Sequence, residues 1–449
     1  MAVDKKPASD DEFIGVDDYA LERVPVNRRQ HWIKVAVQRF GQLSALSQFL
    51  LGAALGFGMT FWDSMLAILL GTVILEVVAI MTGILGMREG LSTSMLARWT
   101  GFGRYGSSVI SLVISLSLIG WFGVQSGVAA DGLASFVPGI PPWVWAIVMG
   151  LGVTAIVLYG FESMAWTAYI TIPAFLGLAG WSIISELQKH DLTDLVSQPA
   201  PGPVLPLAAG ATLVAGGFIV GMVITPDMTR FNRSVGDVIK QTIASVTIGE
   251  IGVALAGVLL AHALKTNDII QIVTSTSGFI GSIIIVAGTI KMNDWNLYGA
   301  SLGIVSFMST VFGKTVSRAK VTILIGLAGS LLAAAGILDY FIEFLTLLGV
   351  TFPPIAGIMV AEYYIVRKWR TLLSESAPRL PKQEPNWVIG TLVVWLGSAA
   401  LGAWLPIGIP SLNSLIASFI LYVLAGKLGL IRANKMIPVD LEEPSVKKA

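Results

Sequence analysis

The chain has 449 residues, of which 54% are hydrophobic and 13% charged, with a mean hydropathy of +0.76; that is too apolar for a soluble domain of this length. Its net charge of +1 comes from charges clustered in short loops, which excludes a basic face for nucleic acid. Cysteine is absent, which excludes disulfides, thiolate nucleophiles and cysteine metal sites.

Residues 1–40, with the acidic stretches SDDEF and VDDYALER, lack an apolar signal core, so they are read as a cytoplasmic tail and no cleaved export signal is expected. From there apolar runs of about 20 residues recur, each long enough to cross a hydrocarbon core of roughly 30 Å as a helix. The alternating pattern of transmembrane strands is absent. Bounded by charge or by Pro and Gly, the runs predict about twelve spans, starting near residues 41, 64, 107, 142, 163, 204, 241, 272, 321, 338, 387 and 409. The run from 272 to 312 is too long for one simple span and is expected to tilt, break or continue past the surface. Residues 432–449 form a second cytoplasmic tail. Loops expected inside hold most of the basic residues, among them Arg88, Arg98, Arg104, Arg230, Arg233, Lys314, Arg367 and Lys382, whereas loops outside hold only Lys189 and Lys265. That asymmetry orients both termini toward the cytoplasm. The fold class is an all-α, multi-pass membrane protein of an inner (cytoplasmic) membrane.

Glycine clusters interrupt the first span (LLGAALGFG) and the sixth (LVAGGFIVGMVITP), five spans apart. Paired interrupted helices point to a transporter built from inverted repeats, with its site at the midplane; the competing view is that the glycines serve close helix packing.

In the third span Trp121 and Gln125 stand four apart, on one helix face. A flat aromatic wall beside an amide suits a planar heterocycle, which stacks by its ring and hydrogen-bonds by its edge. An interfacial anchor is the commoner role of Trp in membranes, but Trp121 lies about fifteen residues into its span, and Gln125 is costly in lipid unless it faces protein or water. In the sixth span Phe218 stands beside Gly216 and Gly217, where the backbone can open and a ligand approach. Thr225 and Pro226 end that helix, and Asp227 with Arg230 are expected to cap and pair there. The eighth span carries Lys291, Asn293, Asp294 and Asn296. A charge near a helix centre costs about 2.5 to 3.5 kcal/mol on insertion scales, so these residues face the bundle interior. Lys291 and Asp294 share a face and neutralise each other, which on its own is also the signature of a structural ion pair. Asn293 and Asn296 share another face, available to substrate. Glu76, Asp131, Glu250 and Glu343 are further acids that partner Lys291 or relay protons. The three histidines are far apart, and no nucleophile is paired with a base, so no enzymatic activity, metal site or cofactor is expected.

Three stretches taken together, GWFGV in the third span, TPDMTRF closing the sixth and NDWNLYGASL in the eighth, resemble the nucleobase:cation symporter family, and within it the cytosine permease branch. The N-terminal ALERVP and the span count are also similar, so the resemblance covers nearly the whole chain. It implies a LeuT-type fold: a first inverted repeat over 41–186, a second over 204–363, and two extra helices over 387–431. It also implies a planar ring held between Trp121 and Phe218, with Gly217 beside the latter. Gln125 matches a glutamine of hydantoin-transporting relatives, whereas cytosine permeases carry theirs where this chain has Leu118. Gln48 is similar to a position that touches substrate. Sodium-coupled relatives place two hydroxyl residues just before the ND pair, where this chain has Lys291 and Met292, neither of which offers an oxygen to a hard cation. The expectation is therefore a secondary active importer of a nucleobase or related planar heterocycle, coupled to protons, with Lys291 replacing sodium and Asp294 and Glu250 as ion-coupling acids. Burial disfavours a charged amine, which makes a proton cycle at Lys291 physically accessible. Sodium coupling or uniport of a hydantoin, allantoin, purine or vitamin-precursor pyrimidine is the alternative within the class; a heterocycle-binding membrane sensor and a channel are the alternatives outside it.

Overall fold

A chain in hydrocarbon has to satisfy its backbone hydrogen bonds internally, and this one does so with helices. The computed structural model describes residues 19 and 22–439, apart from 44, 138, 160–169, 171–172, 175, 179, 182, 269 and 274–277. The first expected span is a pair, α1 (Trp32–Leu43) and α2 (Leu46–Gly58), that meet at 56°. Then come α3 (Phe61–Glu89), α4 (Gly103–Phe136) and α5 (Pro142–Leu158). The fifth expected span, starting near residue 163, begins outside the described residues. The chain continues with α6 (Leu207–Val223), α7 (Val235–Leu264), α8 (Phe279–Phe312), α9 (Arg318–Ala334), α10 (Phe341–Thr351), α11 (Pro353–Ala361), α12 (Ile389–Trp404) and α13 (Pro410–Lys427). A short antiparallel pair, β1 (Gln383–Pro385) with β2 (Met436–Pro438), ties the segment before α12 to the segment after α13.

Among the described residues, five spans are long and apolar enough to cross a membrane, and α1 with α2 makes a sixth. The long run from 272 to 312 does break, at Gly278, which takes a non-helical conformation (φ 54°, ψ −133°); from Phe279 on, α8 is one helix of 34 residues, about 51 Å at 1.5 Å per residue, which exceeds the hydrocarbon core. It lies along α4, also 34 residues, in the most extensive helix pairing of the molecule.

Two sequence expectations about glycine are corrected. The first span breaks at Leu43–Leu46, where Ala45 takes an extended conformation, before its glycine cluster. In the sixth, α6 stays helical through Gly216 and Gly217 and ends at Ile224 and Thr225, ahead of Pro226. The glycines instead mark where helices touch, as small residues do in membranes. A Cβ at Gly52 would overlap the Ala254 carbonyl of α7, and one at Gly56 would lie 2.7 Å from the Val258 Cα. In α6, a Cβ at Gly216 would overlap the Leu345 carbonyl of α10. Thus α2 packs on α7, and reciprocally α3 packs on α6; α4 pairs with α8 and α5 with α9.

The far end of the α2–α7 pair is fastened by His262, fully buried, whose ring nitrogens lie 2.9 Å from the Leu195 carbonyl and 3.1 Å from the Met59 carbonyl. A neutral ring donates to only one of these two acceptors.

Overpacking a closed contact costs about 1 to 3 kcal/mol. Gly52→Ala therefore lowers the thermal unfolding midpoint of the purified protein, whereas Gly252→Ala on α7, where an added Cβ meets nothing within 4 Å, leaves it in place. Equal midpoints for the two variants would show that α2 and α7 are not in backbone contact.

Candidate functional site

Of the polar residues singled out in the sequence, Gln48, Gln125, Glu250 and the eighth-span cluster stand buried on α2, α4, α7 and α8. On α4, Trp121 is buried and meets the rings of Phe341 and Phe344 edge-on, with centroids 6.2 and 5.3 Å away. One turn further, Gln125 is buried, and its Nε2 has no hydrogen-bond partner. Its main-chain carbonyl accepts from the Thr289 hydroxyl of α8 at 3.2 Å.

Across the site, Gln48 near the start of α2 is buried with its Oε1 unpartnered. Its amide lies 3.8 Å from where a Cβ at Gly217 would stand, an ordinary contact, whereas Leu51 Cδ2 would lie 3.1 Å away. Phe218 is half-buried, and its ring folds back over Gly221 of its own helix. Among the described residues the ring partners of Trp121 are thus Phe341 and Phe344 of α10, and α10 spans the gap between the two halves by touching Gly216 through Leu345. Phe341 and Phe344 were missed by sequence reasoning; two aromatics three apart at the start of an apolar span were the only sign of them.

The eighth-span cluster divides. Asn293 is fully buried, and its Nδ2 donates to the Phe122 carbonyl and to the Ser126 hydroxyl of α4, both at 3.0 Å. Asn296 donates to the Asn293 Oδ1 at 3.2 Å, as the shared face requires. These amides bind helix to helix. Asp294 is buried, and its Oδ1 accepts from the Trp295 main-chain N–H at 2.6 Å. Lys291 is also buried, and Asp294 is the acid whose charge reaches it. Of the other acids, Glu76 accepts from the Thr247 hydroxyl at 2.6 Å, Asp131 is half-buried and Glu343 exposed. Glu250 is fully buried with both carboxylate oxygens unpartnered.

At the end of α6 the charges of Asp227 and Arg230 act on each other as expected, but the helix that Asp227 caps is a neighbouring one. The Asp227 Oδ1 accepts from the Thr93 main-chain N–H at 2.6 Å, thereby serving the start of the neighbouring Thr93–Ala97 helix, while Arg230 donates to the Asp227 and Tyr19 carbonyls. Arg39 of α1, also missed in the sequence, is buried and donates to the Gly221 carbonyl at 2.9 Å and the Thr225 hydroxyl at 3.0 Å. It anchors α1 to the last turn of α6.

A buried amide atom without a partner costs about 1 to 3 kcal/mol, and native structures retain such atoms where something else fills them. Here one acceptor, Gln48 Oε1, and one donor, Gln125 Nε2, stand on two helices of a bundle whose first span is broken. A bent first span beside an interior polar site is the architecture of a multi-pass membrane transporter. The family model described as permease for cytosine/purines, uracil, thiamine and allantoin matches residues 24–377, and the chain belongs to that family. It is 28% identical over 409 residues to the cytosine permease of Escherichia coli, covering 91% of this chain and 94% of that one. It is 23% identical over 372 residues to the hydantoin permease of Microbacterium maritypicum, covering 77% and 73%. Among solved structures, the inward-facing conformation of Mhp1 superposes with a TM-score of 0.74 at 18% identity, covering 91% of this chain and 93% of the other. Mhp1, a nucleobase-cation-symport-1 family transporter, in its closed conformation with bromovinylhydantoin bound gives 0.68 at 19% identity, covering 92% and 96%. The fold is therefore the LeuT-type transporter fold, and the protein is a secondary transporter rather than an enzyme.

Because Asn293 joins α8 to α4 through two hydrogen bonds, Asn293→Ala destabilises the protein by about 1 to 3 kcal/mol. Combined with Ser126→Ala the loss is smaller than the sum, since the two share a bond. Thermal unfolding of the single and double variants measures this, and strict additivity would place Asn293 outside the interface.

Proposed function

We propose that the protein imports a nucleobase or related planar heterocycle across the inner (cytoplasmic) membrane, with both termini in the cytoplasm, by alternating access between inverted repeats at 41–186 and 204–363, followed by an appended pair of helices at 387–431. The repeats are supported by the reciprocal packing of α2 on α7 and α3 on α6, with α4–α8 and α5–α9 as their own mirror pairs. The observation that carries the substrate class is the pair of unfilled amide atoms, Gln48 Oε1 and Gln125 Nε2. An acceptor and a donor together fit a ring N–H next to a ring carbonyl, and the permeases for cytosine and hydantoin among the relatives handle rings with such an edge. Trp121 and Phe218 would supply the apolar walls, with Gly217 beside the latter and next to Gln48. Asn293 would act through α4, by holding the helix that carries Trp121 and Gln125.

Coupling would be to protons. Lys291, buried beside Asp294, stands at the place where sodium-coupled relatives offer hydroxyl oxygens, and it would supply a fixed cation there. α8 meets α2 in a narrow contact, and a charge carried by α8 would bias how the two move.

Uptake of labelled cytosine into proteoliposomes, under an imposed proton gradient and then a sodium gradient, with unlabelled heterocycles as competitors, tests both parts. Protons stimulate uptake and sodium does not; rings with the N–H and carbonyl edge compete and those without it fail. Trp121→Ala weakens half-saturation by about 5- to 150-fold, the equivalent of losing about 1 to 3 kcal/mol of stacking. Lys291→Thr introduces sodium dependence. Stimulation of the native protein by sodium would overturn the role given to Lys291, and competition blind to the polar edge would overturn the role of the amides.

A further inference from the structure

Glu250 sits midway along α7, 0% exposed, and neither of its carboxylate oxygens has a hydrogen-bond partner. Its position follows from the register of α2 on α7. The two helices run in the same direction, Gly52 against Ala254 and Gly56 against Val258, with the Met59 carbonyl on His262 beyond and Leu43 against Gly249 before. The offset of 202 shared by the Gly52–Ala254 and Gly56–Val258 contacts, carried one turn back, sets Gln48 level with Glu250, at the first turn of α2 just past the break in the first span. This register sets the carboxyl level with the break in that span and with Gln48, one of the buried amides that has an unpartnered atom.

No charged side chain acts on it. α2 carries no ionisable residue. On α1, Lys34 is exposed and Arg39 is committed to the Gly221 carbonyl and the Thr225 hydroxyl. On α3, Glu76 is bound to Thr247, while Asp63, Arg88 and Glu89 lie at the helix ends. The Leu192–Ser197 helix contributes Asp194, at the His262 end. An isolated carboxylate in such surroundings carries a desolvation cost that no partner offsets.

We infer that Glu250 is the residue that loads the transported proton, a step that rests on the proton-coupled transport proposed above. The carboxylate takes one proton from the side of entry to give the neutral acid, which is the form compatible with the closed packing around it. It returns that proton to water on the other side when α1 and α2 move, and no other bond is made or broken. One proton crosses with one neutral heterocycle, so each import carries one positive charge. The anion left behind has a place to rest: Ala45 at the N-cap leaves the first turn of α2 without a side-chain acceptor, and helix N-termini favour negative charge. Gln48, in that same turn, links the protonation of Glu250 to occupancy of the heterocycle site.

The test uses the full-length protein in proteoliposomes and two readouts. In infrared difference spectra taken across an acid-to-neutral step without substrate, the native protein shows the carbonyl band of a buried protonated carboxyl, and Glu250→Gln removes it. In transport, Glu250→Gln retains heterocycle exchange at zero gradient but loses accumulation, which for one proton per substrate amounts to about tenfold per pH unit. Accumulation by Glu250→Gln at the native level, or an infrared band that survives the substitution, overturns the inference. If Glu250→Gln does not fold, Glu250→Asp decides, because a displaced carboxyl shifts the pH profile of accumulation and an unmoved profile overturns the assignment. Native liposomes that exchange no heterocycle would defeat the proposed transport function alone, since the infrared band requires no substrate.

Discussion

Everything in this molecule depends on how closely its helices approach one another. In lipid, burial of apolar surface does not drive helix association, so van der Waals contact between backbones and hydrogen bonds between helices have to do so. The glycine of α2 that faces the Ala254 carbonyl, and the glycine of α6 that faces Leu345 of α10, set that distance. Once α2 lies at backbone contact on α7, Gln48 and Glu250 fall at one level. Once α6 lies at backbone contact on α10, the same short helix that carries Phe341 and Phe344 to Trp121 also closes against the other half of the site. The polar residues are placed by packing that they do not themselves make.

A second layer of interactions holds the two long helices. Asn293, Asn296, Ser126 and Thr289 form a ladder between α4 and α8, and each bond satisfies a group that would otherwise be bare in a dry interior. This makes α4 and α8 a rigid pair, on which Trp121 and Gln125 are presented as a fixed surface. On the other side, the first span is interrupted at Ala45, with Arg39 fastening α1 to the end of α6. A fixed wall facing a jointed one is the mechanical arrangement that alternating access needs.

Much of this was legible in the sequence, and the limits have physical causes. The all-helical membrane fold follows from run length and composition, and the i, i+4 spacing of Trp121 and Gln125, like the i, i+3 spacing of Asn293 and Asn296, survives in any helix. The glycine clusters were misread as breaks because a glycine that loosens a helix and a glycine that admits a neighbour look the same in one dimension; only the partner helix distinguishes them. The actual break at Leu43–Leu46 contains neither Gly nor Pro, so no local propensity announces it. Asn293 reads as an available amide until the Phe122 carbonyl and Ser126 are brought to it from 167 or more residues away. Phe341, Phe344 and Arg39 belong to the site region through tertiary contact alone.

The charges of the interior impose a last constraint. Lys291 and Asp294, three residues apart on α8, compensate each other, so a neutral substrate can enter without leaving either one bare. Glu250 has no such counterpart. If it remained an anion through the whole cycle, the closed state would carry an uncompensated charge in a medium where isolated ions are intolerable. If it were always neutral, it would contribute nothing that a glutamine could not. A carboxyl that alternates between the two forms, neutral when the helices are packed and charged when the α1–α2 joint opens, is the arrangement that gives a buried, unpartnered acid a reason to be there. In the proposed cycle it would also give the direction of transport a physical origin, because the closed state would form more readily from the side richer in protons.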